Sequence, residues 1–152
     1  MKDEAAPHPI HTDYANRGRS LERAIRKLFE SYASRGIHCQ QNHPEQLHDG
    51  TMVKRHGFDF QIFYQERFIA FDAKECANRT WPLDKAKMHQ LKALLDVELN
   101  GGEAFFLVFF KNGRKLVKFP ASFIQSRISD GAKSVSPQEG ITTTLNILEI
   151  KE

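Results

Sequence analysis

Asp59, Asp72 and Lys74 are the side chains of this sequence whose types and spacing could act together as a reactive centre. They fall in one run, DFQIFYQERFIAFDAK, residues 59–74. Aromatic and β-branched residues dominate 58–64 and 67–74, so each half reads as a strand, and Tyr64-Gln65-Glu66-Arg67 is the polar break between them. With the turn centred on Gln65-Glu66, facing residues have numbers that sum to 131, and Asp59 meets Asp72. Directly opposed Cβ atoms lie about 4.5–5.5 Å apart. Alternation sends Lys74 to the same face as Asp72. Two carboxylates this close repel unless a proton or a cation sits between them, and a hard divalent ion such as Mg2+ accepts such oxygens. A neighbouring amine can orient an attacking water or offset developing negative charge. The set suits metal-assisted hydrolysis.

An ordinary reading stands beside this one. Gln-Glu is not a favoured two-residue hairpin turn, and a bulge would turn one aspartate away, leaving plain strand-end charges. Asp72 and Lys74, however, interrupt Phe68-Ile69-Ala70-Phe71-Asp72-Ala73-Lys74, an otherwise apolar strand that reads as covered on both faces. Charges placed there without partners are costly, and function is the usual reason for accepting them.

The elements that must position these groups follow from periodicity. Residues 1–15, with two prolines and no repeat pattern, read as a flexible lead-in. A helix is expected over 20–34, capped by Ser20, carrying Leu21, Ile25, Leu28, Phe29 and Tyr32 as one stripe and stopped by Gly36. A strand starts near 37–39, and the polar stretch 40–56 reads as an irregular connection or a short protruding hairpin. After the central hairpin come a loop over 76–82 and a helix over 83–99 with Met88, Leu91, Leu95 and Leu99 on one face, ended by Asn100-Gly101-Gly102. A buried strand over 104–110, an Asn112-Gly113 hairpin signal, a strand over 115–119, a short helix from Pro120 to 129, a loop and a last strand over 141–150 complete the order.

At 152 residues the chain fits one domain with a real core. The apolar run 104–110 is far too short to span a bilayer. Two cysteines, Cys39 and Cys76, are too few for a disulfide framework, and no secretory signal is visible, so reduced thiols in a cytoplasmic protein are expected. A net charge of +3 does not announce nucleic acid, but the segment from Arg17 to Arg35 is distinctly basic. Cys39, His43, His48 and His56 match no familiar zinc spacing.

A helix bearing a glutamate, a hairpin carrying Asp…Asp-X-Lys, then a helix and another strand resembles the core of the PD-(D/E)XK nucleases. Asn16-Arg17-Gly18 with Leu21-Glu22, Phe71-Asp72-Ala73-Lys74-Glu75, then Asn78, Thr80, Pro82-Leu83 and His89-Gln90 resemble, in order, the RecU-type Holliday junction resolvases. The resemblance covers roughly residues 16–110. It implies an α/β, restriction-endonuclease-like core with a central mixed sheet flanked by helices, and a single nuclease domain over 16–152. It implies that Asp59, Asp72 and the Ala73 carbonyl bind Mg2+, with Mn2+ able to substitute, that Lys74 is the catalytic lysine, that Glu22 is an outer metal or water ligand, and that Gln90 braces the site. It further implies a homodimer that cuts four-way DNA junctions symmetrically, in the cytoplasm of a bacterium and encoded by host or phage, with no membrane partner.

Two departures separate the chain from that pattern. Asp72 stands where the family more often has glutamate, and the stretch 37–59 is shorter than the family's, which carries a projecting stalk. Metal-dependent DNA cleavage is therefore the broader expectation and four-way DNA the finer one. Another restriction or repair endonuclease of the superfamily, and a non-catalytic DNA-binding module, stand as alternatives. Arg17, Arg19, Arg23 and Lys27, with Arg79 and Lys85, are the candidate phosphate contacts. Taken alone, Glu22 pairing with Arg26, a surface Gln90, a solubilising basic helix face, a strand-edge Glu75 and a core Trp81 are the ordinary readings.

Overall fold

The computed structural model describes residues 19–43, 45–46, 52–54 and 57–150, with backbone alone for 19, 45–46 and 52–54. The lead-in, the Asn16-Arg17-Gly18 turn, the Arg19 side chain, His48 and His56 lie outside what is described. Helix α1 runs Arg19–Ser34. Its stripe of Leu21, Ile25, Phe29 and Tyr32 is buried, as the spacing predicts. Gly36, at φ +79°, ends it in the left-handed region. Ser20 is not the cap: it lies inside the helix, and its hydroxyl is used elsewhere.

Strand β1 is His38–Gln41. Short strands β2, Glu45–Gln46, and β3, Met52–Lys54, pair antiparallel as a small separate ribbon within the polar connection. Strands β4, Phe60–Tyr64, and β5, Arg67–Cys76, form the expected hairpin. Phe60 faces Phe71 and Tyr64 faces Arg67, the register centred on Gln65-Glu66. Gln65 (φ 47°) and Glu66 (φ 66°) both adopt left-handed conformations, the backbone of a two-residue type I′ turn made without the usual Asn or Gly.

β5 extends to Cys76, and Trp81–Pro82 form strand β6, so the expected 76–82 loop shrinks to 77–80. The expected helix over 83–99 is broken: a 3-10 turn covers Leu83–Lys85, and α2 covers Met88–Leu99. Its inner face is Leu91 and Leu94 with Leu95 packed partly buried beside them, whereas Met88 and Leu99, at the two helix ends, are exposed. Strands β7, Glu103–Phe110, and β8, Lys115–Pro120, are joined by a four-residue loop rather than a two-residue one. Helix α3, Ala121–Ser129, follows directly on Pro120. β9, Ser134–Val135, pairs with β6.

The expected last strand over 141–150 is paired only at β10, Ile141–Thr142. Beyond it the chain turns inward, burying Ile147 and Leu148. Tyr32 Oη holds this turn by donating to Asn146 Oδ1 at 2.7 Å and accepting from the Leu148 amide at 3.2 Å.

The main sheet has the order β1-β4-β5-β7-β8-β10, antiparallel throughout except for the parallel pair β5–β7. It is the mixed central sheet that the sequence leads one to expect. α1 covers one face, packing on Phe60, Ile62, Ile69 and Phe71. α2 and α3 cover the other with Ala70, Phe106, Phe119 and Trp81. Trp81 is a core residue, 5.3 Å from the Phe106 ring and 6.2 Å from that of Phe119. Both faces of β5 are therefore covered, and period-two alternation decides which helix each of its side chains meets.

Candidate active site

Because Ile69 and Phe71 pack under α1 and Ala70 under α2, alternation along β5 aims Asp72 and Lys74 at the α2 side and Glu75 at the α1 side. Asp72 is completely buried and is the one buried polar or charged residue among those described. Asp59 stands one residue before β4, continuing its register opposite Asp72, and its carboxyl is within hydrogen-bonding reach of the Asp72 carboxyl.

Two local features put Asp59 there. The Asn42 amide N–H donates to the Asp59 carbonyl at 2.7 Å, and Asn42 Nδ2 donates to the Phe58 carbonyl at 3.0 Å. Gly57 lets this segment lie against α2, where an added Cβ would collide with the Cβ of Ala93.

Lys74 Nζ lies 2.8 Å from Asp72 Oδ2 and donates to Gln90 Oε1 at 3.1 Å. Lys74 meets Asp72 Oδ2 as an ion pair, and among the described residues no other donor reaches either Asp72 oxygen. Burial first, then the Asp59 carboxyl beside it, pushes the Asp72 carboxyl up to about 8 against the opposing pull of Lys74.

The α1 side supplies a second group. Glu22 is half-buried; burial raises its pKa first, the Asp59 charge adds to this, Arg26 and His43 oppose it, and Glu75 raises it further. Glu22 therefore lies within Coulombic range of Asp59 and Glu75, with Arg26 and His43 offsetting their repulsion. Glu75 Oε1 accepts from Ser20 Oγ at 2.6 Å, and its Oε2 is buried without a partner.

The structure thus brings Asp72, Lys74 and Gln90 into direct contact, with Asp59 opposite Asp72 and Glu22 within Coulombic range of Asp59. Arg23, Lys27, Arg79 and Lys85 are all exposed on the surface, as phosphate contacts must be. Cys39 is half-buried, its thiol pushed up to about 11 by burial, and His43 is exposed near Glu22. Asn42 and the Ser20–Glu75 pair are the residues that sequence reasoning missed. Asn42 sits in a polar connection with no periodic signal. Ser20 carries the signature of a cap, which hides its tertiary partner.

Among the described residues no three His, Cys, Asp or Glu side chains form a metal cage by themselves. The donor set still fits a magnesium-like ion, which is held by one or two carboxylates and completed by water and substrate phosphate. The Asp72 carboxyl, buried beside Asp59 with Lys74 as its one near donor among the described residues, is the observation that supports the fit.

The comparisons with known proteins decide the family. A family model described as Recombination protein U, RecU, matches residues 16–151. The chain belongs to the RecU family. It is 30% identical over 157 residues to a Bacillus thuringiensis (strain Al Hakam) protein named Holliday junction resolvase RecU, covering 88% of this chain and 78% of that one. The protein of the same name from Bacillus cytotoxicus is 29% identical over 149 residues, covering 85% of this chain and 74% of that one. Among solved structures, Archaeoglobus fulgidus Hjc, a Holliday junction resolvase from an archaeal hyperthermophile, superposes with a TM-score of 0.51 at 14% identity, over 80% of this chain and 94% of that chain. That likeness is one of fold, and it matches the nuclease-type α/β core expected from the motifs. Among the described residues, no helix is long and apolar enough to cross a membrane.

Proposed function

We propose that this protein is a Mg2+-dependent, structure-selective DNA endonuclease, a Holliday junction resolvase that cuts four-way junctions symmetrically as a homodimer, with residues 16–152 forming its single nuclease domain. The observation that carries the proposal is the buried Asp72 carboxyl, facing Asp59, with the Lys74 amine 2.8 Å away and no other donor among the described residues. Such an arrangement is costly in a fold that gains nothing from it. The family membership and the names of its relatives support the same reading.

Asp59, Asp72 and the Ala73 carbonyl would hold the cation, Mg2+ or Mn2+ in its place, with Glu22 reaching it through water. Once bound, a divalent ion supplies positive charge against the scissile phosphate and acidifies water nearby. The chain's own groups do the rest. Lys74, fixed by Gln90 Oε1 on one side and Asp72 on the other, presents its ammonium where negative charge accumulates on the phosphate. Gln90 keeps that amine from swinging away, and Glu22 orients solvent on the opposite flank. Arg17, Arg19, Arg23, Lys27, Arg79 and Lys85 hold the phosphate backbone, which dominates DNA affinity. The protein works as a soluble enzyme of the bacterial cytoplasm under this reading.

Cleavage of synthetic four-way, nicked, mismatched and plain duplex DNA, with and without Mg2+, tests the reading. Preferential, Mg2+-dependent, paired cuts in the four-way substrate are expected. Equal cutting of all four would replace the resolvase assignment with a general nuclease. Binding without cutting under any divalent metal would replace it with a non-catalytic module.

A further inference from the structure

We infer that the loop joining β7 to β8, Lys111-Asn112-Gly113-Arg114 with Lys115 after it, is a DNA-phosphate-binding element that grips the backbone beyond the scissile bond. This rests on the nuclease reading and extends it to residues that neither the motifs nor the family likeness assign.

The charge distribution is the first observation. From Ala104 to Ser129 the chain carries five basic residues, Lys111, Arg114, Lys115, Lys118 and Arg127, and no acidic one. Arg127 is engaged by Glu139 at 3.3 Å, and Lys118 lies over the Phe105 ring at 5.4 Å. Lys111, Arg114 and Lys115 have no carboxylate within ion-pair reach among the described residues. All three stand in or beside one loop.

Position is the second. β5 and β7 are parallel with Cys76 opposite Phe110, and the Lys111 amide donates to the Cys76 carbonyl at 2.9 Å. The loop therefore projects from the same end of the sheet as Asp72 and Lys74. Asp72 is level with Phe106, so the loop starts five residues farther on; at about 3.3 Å per residue it lies on the order of 15 Å from the carboxylates. Duplex DNA advances about 3.4 Å per nucleotide, so a strand seated at Asp72 meets the loop roughly four or five nucleotides away.

The third observation joins this loop to the basic helix. Arg114 lines a depression of about 320 Å³ whose other wall includes Ser20, Leu21 and Ala24 from the first turn of α1. The loop thus stands beside the first turns of α1, the helix that carries exposed Arg23 and Lys27. Arg114 is also held at φ 50°, immediately after Gly113 at φ 87°. A non-glycine residue in that region is uncommon, and folding gains nothing from arginine there.

The test is fluorescence-anisotropy titration of a labelled four-way junction and a plain duplex across a salt series, without divalent cation. It compares wild type, a Lys111→Ala/Arg114→Ala/Lys115→Ala triple variant, Arg114→Gly and Arg67→Ala. The triple variant should bind both DNAs about tenfold or more weakly near ~0.1 M salt, and its log K against log salt slope should shrink by about 0.9 per lost phosphate contact. Arg114→Gly, which suits the backbone and cannot fail for strain, should lose about one contact's share. Arg67→Ala, with the same charge change at the opposite end of the sheet, should keep the wild-type slope. A triple variant with wild-type affinity and slope overturns the inference while leaving the nuclease reading intact. A wild type that binds no DNA overturns the nuclease reading, and this inference with it.

Discussion

The two ends of the β4–β5 hairpin carry charge in opposite ways. At the turn end, Arg67 and Glu103 form a two-pronged ion pair, both contacts 2.9 Å, with about half of each side chain in water (42% and 47% exposed). At the open end, Asp72 is fully buried, Lys74 is its one near donor among the described residues, and its neighbours include another carboxylate. The first arrangement satisfies every group it uses. The second leaves groups unsatisfied in the least forgiving place in the fold. The turn end is an ordinary solvated ion pair, and the open end is the arrangement on which the proposed metal site rests.

Substitutions at the two ends should therefore fail differently. Asp72→Asn removes ligand charge at nearly constant volume, and junction cleavage should fall by about 10³-fold or more, as losing several kcal/mol of metal-based stabilisation implies. Junction binding in gel shift should survive. Wild-type turnover in that variant would remove Asp72 from the chemistry. Lys74→Ala should slow single-turnover cleavage by about 10²-fold or more with little change in binding, since its amine acts on developing charge; a pure loss of affinity would make it a docking residue instead. Glu22→Gln, one layer out, should cost about 10–100-fold and raise the Mg2+ concentration needed for half-maximal rate. A rate unchanged at every Mg2+ concentration would return Glu22 to the ordinary reading, a surface charge near Arg26.

Arg67→Ala should leave cleavage at wild-type rate and change stability by less than about 1 kcal/mol, because exposed pairs are screened. The pH dependence of that small term has a fixed sign. The Arg67 hydrogen bonds hold the Glu103 carboxyl below its ordinary value. The pair's contribution is therefore present above pH ~4.5 and lost as pH falls through the folded-state value. Thermal midpoints of wild type and Arg67→Ala should converge below that range, and a gap that widens in acid would contradict the assignment.

The sequence made the central hairpin readable because its register follows from the position of one turn. Phe60 opposite Phe71 and Tyr64 opposite Arg67 are where the strand pattern puts them. Glu22 and Gln90 needed the family likeness, since a lone helix carboxylate or amide carries no pattern of its own. The readings that failed share one cause. Local preference makes Ser20 a cap, residues 83–99 one helix and 141–150 one strand. In the fold, a tertiary partner overrides that preference: Glu75 takes the Ser20 hydroxyl, the Leu83 amide bonds to the Lys133 carbonyl, and Tyr32 draws Asn146 and Leu148 inward. Asn42 illustrates the limit most simply. Its two bonds fix the backbone of Phe58 and Asp59 across a connection that has no periodicity to read.

Direct titration of Mn2+ by electron paramagnetic resonance, on wild type, Asp59→Asn and Asp72→Asn proteins bound to a four-way junction, probes the pairing of these carboxylates most directly. Saturable binding in wild type and loss of it in each single variant is the predicted result. Equal Mn2+ occupancy in all three would mean that the two side chains do not share an ion.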